Sequence, residues 1–139
     1  MIGLVVVAHG DLAKALLEAL EHVVGRQPHA VAIAIWPEDD LREKQAEICA
    51  AVESVDSGEG VAIVTDMFGG TPSNLAMGAT APGGTEVIYG ANLPALVKLG
   101  KLRHLPLADA VAAAVESGRK YINSAGAIIS SGRTGRRTG

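Results

Sequence analysis

Apolar residues run without a break from Ile2 to Ala8, IGLVVVA, and stop at His9-Gly10. A continuous valine-rich run of that length predicts a strand buried on both faces. After it, Leu12, Leu16, Leu17, Leu20, Val23 and Val24 recur at helical spacing, and Gly25 stands where a helix cap is expected. The alternation then repeats. Residues 30–35 read as a strand, Leu41, Ile48, Val52 and Val55 as one face of a helix, and residues 61–65 as a third strand. A helix over 72–80, a strand over 86–89, a short helix over 94–99 and a longer one over 107–117 continue the series. Strands alternating with helices predict an α/β fold with a parallel sheet and right-handed crossovers. Past Gly118 the pattern weakens: RKYIN, residues 119–123, reads as a short strand, and residues 124–131 show no period. The expected organisation is one domain over residues 1–131, followed by a flexible basic tail, GRTGRRTG, over 132–139.

Composition narrows this picture. Hydrophobic residues make up 48% of the 139 residues but aromatic ones only 3%, so the interior is built of valine, isoleucine, leucine and alanine, as suits a sheet covered by helices on both faces. A net charge of −3 gives no electrostatic reason to expect nucleic acid as a partner. No apolar run approaches the roughly 18 residues of a membrane span, and the N-terminus lacks the pattern of a signal peptide. The lone Cys49, in EICAAV, reads as the apolar side of a helix. A cytoplasmic protein without membrane insertion is expected.

The chemistry concentrates at two strand ends. Open parallel sheets bind ligands outside the carboxyl ends of their strands, where successive crossovers diverge to opposite faces. The first strand ends in His9-Gly10, and the third leads into Asp66-Met67-Phe68-Gly69-Gly70-Thr71-Pro72-Ser73-Asn74. In a flavodoxin-like strand order, 2-1-3-4, His9 and Asp66 stand side by side. A carboxylate accepting one ring N–H fixes the imidazole tautomer and turns the other nitrogen's lone pair outward, as a positioned nucleophile requires. Gly10 removes bulk beside the ring. Gly69 and Gly70 allow a bend that gathers backbone amides, Thr71 suits a helix N-cap, Pro72 the first helical position, and a helix start attracts anions. Taken singly, a strand-terminal histidine reads more often as a hydrogen-bonded structural residue, and an aspartate beside Gly-Gly as turn chemistry. Their placement on neighbouring strand ends favours a site of nucleophile, orienter and oxyanion cradle.

Three stretches, VVVAHGDLA, DMFGGTPSN and YGANLPALVKL, make residues 1–123 resemble the enzyme IIA component of the mannose (mannose-fructose-sorbose) branch of the bacterial phosphoenolpyruvate:sugar phosphotransferase system. The resemblance implies a phosphotransferase component with a phosphohistidine intermediate. In it His9 accepts a phosphoryl group from the histidine-containing phosphocarrier protein and passes it to an enzyme IIB partner, here on a separate chain, for sugar uptake or regulation. It further implies that Asp66 orients the ring and that the Gly69-Gly70-Thr71-Pro72 segment lies beside the phosphorylated nitrogen; from the residues themselves, Gly10, the backbone amides of Gly69, Gly70, Thr71 and Ser73 and the Thr71 hydroxyl are expected to surround the phosphoryl group with neither metal nor cofactor. The family's homodimers exchange a C-terminal strand, for which residues 119–123 are the candidate. Met67 and Phe68 depart from the polar residue and tryptophan of some members, and Ala8 from their threonine.

Other readings remain beside this one. A chelatase of related fold also places His-Gly after its first strand, but its metal chemistry calls for a second histidine, and His22, His29 and His104 lie elsewhere in the pattern. Histidine phosphatases carry an arginine where Ala8 stands. A purely regulatory module, whose phosphorylation alters partner binding, uses the same residues. Met67, Phe68 and Leu12 are expected to form an apolar rim that excludes water. Trp36, before Pro37, is either a partner anchor or a half-buried ring. Glu38-Asp39-Asp40 reads as an acidic helix start and Asn92 as a cap.

Overall fold

The computed structural model describes residues 1–67, 70–80 and 84–134. Four parallel strands, β1 (Gly3–His9), β2 (Ala30–Ile35), β3 (Val61–Thr65) and β4 (Thr85–Ile88), form one sheet in the order β2-β1-β3-β4. The helices between and after them are α1 (Leu12–Val24), α2 (Leu41–Val55), α3 (Thr71–Gly78), α4 (Leu93–Lys101), α5 (Leu107–Lys120) and α6 (Ala125–Thr134). Each strand and helix expected up to residue 117 is present, and the sheet has the expected order.

The unbroken apolar run becomes the central strand because both of its faces are covered. On one face Leu4, Val6 and Ala8 meet Leu20 of α1, Leu96 and Leu99 of α4, and Ala110 and Ala114 of α5. On the other, Val5 and Val7 join Ile48, Val52 and Val55 of α2 with Leu75 and Ala76 of α3. Removing these aliphatic chains from water is the main force holding the two helical layers to the sheet. The layering also creates the switch point. α1 leaves β1 toward the first face and α3 leaves β3 toward the second, which opens a crevice at the carboxyl ends of two adjacent strands.

At the opposite edge of the sheet, Arg103 closes the fold. Arg103 is 3% exposed, and its guanidinium donates from Nε to Ile2 O, from Nη1 to Gln27 Oε1 and from Nη2 to His29 O, at 2.8, 3.0 and 2.9 Å. One side chain thus joins the start of β1, the α1–β2 connection and the end of α4. Among the described residues no carboxylate pairs with it.

The C-terminal region differs from expectation. Residues 119–123 do not form a strand: Arg119 and Lys120 complete α5, and Tyr121 N and Ile122 N donate to Ser117 O and Arg119 O, each at 3.3 Å. Two cations in the last turn suit the negative end of the helix dipole, so the helix continues where alternation alone suggested extended chain. Residues 124–131, read as aperiodic, belong to α6 and the cap before it. Ser124 Oγ accepts from Ala127 N at 3.1 Å, and Ser124 O from Ile128 N at 3.1 Å. A serine cap on a short Ala- and Ile-rich segment was the signal to read. α6 runs through Thr134, and residues 135–139 of the expected tail lie outside the described residues. Among the described residues no helix is long and apolar enough to cross a membrane.

Candidate functional site

His9 is the last residue of β1. Six buried residues precede it, and its own side chain is 51% exposed, so the strand delivers a solvent-facing imidazole from a rigid base. Asp66 follows β3 directly, and its side chain is 12% exposed. Pairing of Val7 with Thr65 across the two strands sets the register that brings them together. Asp66 Oδ2 lies 2.7 Å from His9 Nδ1 and also accepts the His9 backbone N–H at 3.1 Å, while Oδ1 accepts from Met67 N at 3.0 Å. Both carboxylate oxygens are therefore engaged, and the ring is gripped through Nδ1. An acceptor-only carboxylate at that nitrogen assigns the proton to Nδ1 and leaves the lone pair on Nε2.

Burial alone pushes the Asp66 carboxyl up. The hydrogen bond to the His9 ring, the His9 and Asp66 backbone contacts and the attraction of the imidazole outweigh it and hold the group below its ordinary value. Asp66 is accordingly a stable anion at neutral pH, able to favour an imidazole that gains positive charge.

Gly70 stands at the other side of the ring. A methyl group there would lie 3.3 Å from His9 Cε1 and 3.7 Å from Nε2, so the backbone approaches the open nitrogen because no side chain intervenes. Gly70, not Thr71, is the N-cap of α3, with extended φ −92° and ψ 173°, and its carbonyl accepts Asn74 N at 3.0 Å. The helix start is thus one residue earlier than expected, and Pro72 still falls in the first turn, where a missing N–H costs little. Thr71 is exposed and lines the same groove as His9, whereas the Ser73 side chain is fully buried. Gly69 and Phe68 lie outside the described residues.

Gly10 adopts φ +55°, a left-handed conformation open to glycine, and its N–H donates to Ile35 O at 2.9 Å. Trp36 covers it: a Cβ on Gly10 would lie 3.2 Å from Trp36 Cζ3. Pro37 and Leu41 extend this wall, which sequence pattern assigned to no site. Met67 and Leu12 are 54% and 43% exposed. Asp40 caps α2 through Arg42 N and Glu43 N, and Asn92 caps α4 through Ala95 N. His22 lies in the last turn of α1, while His29 and His104 flank the Arg103 edge, away from His9. Among the described residues no group of three or more His, Cys, Asp and Glu side chains is placed to hold a metal ion.

Comparison with known proteins places this arrangement. The chain is 30% identical over 111 residues to the PTS system fructose-specific EIIA component of Bacillus subtilis, covering 78% of this chain and 76% of that protein. It is also 30% identical over 126 residues to the PTS system mannose-specific EIIAB component of Escherichia coli, which spans 88% of this chain and 39% of that longer protein. The mannose/sorbose specific IIA subunit from Enterococcus faecalis superposes with a TM-score of 0.78 at 25% identity, over 88% of this chain and 93% of that one. Residues 3–116 match the model of the EIIA-man family, described as PTS system fructose IIA component. The chain belongs to that family and is an EIIA component of the mannose/fructose/sorbose group of phosphotransferase systems.

Proposed function

We propose that His9 is the phosphoryl acceptor and donor of this component, working in the cytoplasm. It takes the group from the histidine-containing phosphocarrier protein and yields it to an enzyme IIB partner. The observation that carries this reading is the 2.7 Å contact between Asp66 Oδ2 and His9 Nδ1, with Nε2 turned to the groove beside Gly70. In the forward step the Nε2 lone pair attacks phosphorus in line with the donor's N–P bond. That bond breaks as the Nε2–P bond forms, and the electron pair returns to the donor imidazole. The proton stays on Nδ1 throughout, donated to Asp66, and the carboxylate balances the positive charge that the phosphorylated ring acquires. Such transfers need alignment and stabilised equatorial oxygens more than covalent assistance.

The start of α3 supplies the second requirement. Gly70 borders the open nitrogen and Thr71 lines the same groove; the proposed cradle is the positive dipole end of the helix with the Gly70, Thr71 and Ser73 backbone amides and the Thr71 hydroxyl, together with Gly69. The expected homodimer belongs to the same proposal. The Arg119–Asn123 strand that was to be exchanged is absent from this chain, but Tyr121, Ile122, Ile128 and Ile129 are 53–71% exposed at the C-terminal end, apolar surface of the kind a second copy covers.

Phosphoenolpyruvate, enzyme I and the phosphocarrier protein should together label the chain once, through an acid-labile, alkali-stable bond. His9→Ala should carry no label. Label persisting in that variant removes His9 from the reaction.

A further inference from the structure

Trp36 is the chain's one tryptophan, and it is 41% exposed directly after β2. It is held there. Its backbone N–H donates to Asp39 Oδ2 at 2.7 Å, which fixes the turn, and its ring edge lies 3.2 and 3.5 Å, through Cζ3 and Cη2, from the point a Cβ on Gly10 would occupy. The indole is therefore seated on the turn that follows His9, in the groove that His9 and Thr71 line. Leu41, 53% exposed at the first residue of α2, continues the ledge. A fixed aromatic ring half in water beside a reactive group is what protein interfaces use as an anchor, because little side-chain entropy is lost when a partner covers it.

The charges around the ledge decide which partner fits. In the segment that carries the ledge, Glu38 and Glu43 are exposed carboxylates and the exposed Asp40 caps α2, whereas Lys44 is engaged by Asp39 at 3.8 Å and Glu47 at 3.0 Å, leaving Arg42 as the exposed cation of this segment. An acidic rim repels a small free phosphate ester and attracts a protein that surrounds its phosphoryl group with basic residues. The geometry points to the Trp36–Leu41 ledge as the docking anchor of the phosphoryl donor protein, whose apolar patch covers the indole while its basic face meets the rim. This rests on the proposed role of His9.

The test measures transfer from the phosphorylated phosphocarrier protein over a range of its concentrations. Trp36→Ala should raise the half-saturating concentration by about 10-fold or more, the size expected for an interface anchor, with maximal rate and hydrolysis of phospho-His9 unchanged. Trp36→Phe should recover most of the loss, and Leu41→Ala should shift the same constant in the same direction. Glu38→Lys should raise it at low salt and match the unaltered protein at high salt. Unaltered half-saturation in both Trp36→Ala and Leu41→Ala overturns the inference. So does a fall in maximal rate alone, which would make the ring a support for Gly10. If the unaltered protein takes no label, the role of His9 fails instead, and the inference falls with it.

Discussion

The sheet carries a polar cluster at each end, and the two are built on opposite terms. At the amino edge Arg103 is buried and binds three acceptors drawn from three parts of the chain. At the carboxyl edge His9 is half exposed and binds one carboxylate, with its second nitrogen open. A buried guanidinium is tolerated where its donors are occupied, and burial pushes its pKa down from the ordinary value; such a group is a clamp. A half-satisfied imidazole on a rigid strand end is available for chemistry. What separates structure from function here is the accounting of hydrogen bonds, since both residues are polar and both are well held.

That contrast can be broken from either side. Asp66→Ala frees the ring and removes an acceptor for His9 N and Met67 N, so phosphoryl transfer should slow by about 10- to 1000-fold with the fold intact, as for loss of an orienting partner. An unchanged rate in a rapid-mixing assay would take Asp66 out of the reaction. Arg103→Met should do the reverse, lowering unfolding free energy by about 2–4 kcal/mol in urea titration through stranded carbonyls at Ile2 and His29, with the transfer rate of the folded protein unchanged. A variant as stable as the parent would mean water replaces the clamp.

The smallest effect is in pH. Because the folded-state pKa of Asp66 is depressed, its contribution to stability is fully present above the unfolded value near 3.8 and is lost as pH falls through the lower folded value. The stability difference between the parent and Asp66→Ala should therefore narrow as pH falls below about 4. A difference that widens below about pH 4 would contradict the lowered pKa of the Asp66 carboxyl.

The carboxyl edge was legible in the sequence because its causes are local. An apolar run ending at His9 sets a strand end, and Asp66 ends another. The order β2-β1-β3-β4 that joins them is the flavodoxin-like arrangement, one of those that an alternation of strands with helices allows. The amino edge was not legible. Arg103 reaches partners 101, 76 and 74 residues away, and no local pattern marks an arginine that will be buried. Trp36 was undecided for the same reason, since its seat on Gly10 depends on strand pairing. The C-terminal strand was misread because Tyr121 and Ile122 favour extended chain, while the bonds from their amides to Ser117 O and Arg119 O keep the α5 turn closed.

The central claim is that Asp66 occupies Nδ1 of His9 and so leaves Nε2 to carry phosphate. Phosphorus and nitrogen NMR of the phosphorylated, nitrogen-15-labelled protein tests it most directly. One phosphohistidine is expected, with phosphorus bonded to Nε2 of His9 and a proton retained on Nδ1. Phosphorus on Nδ1, or on any of His22, His29 and His104, would contradict it.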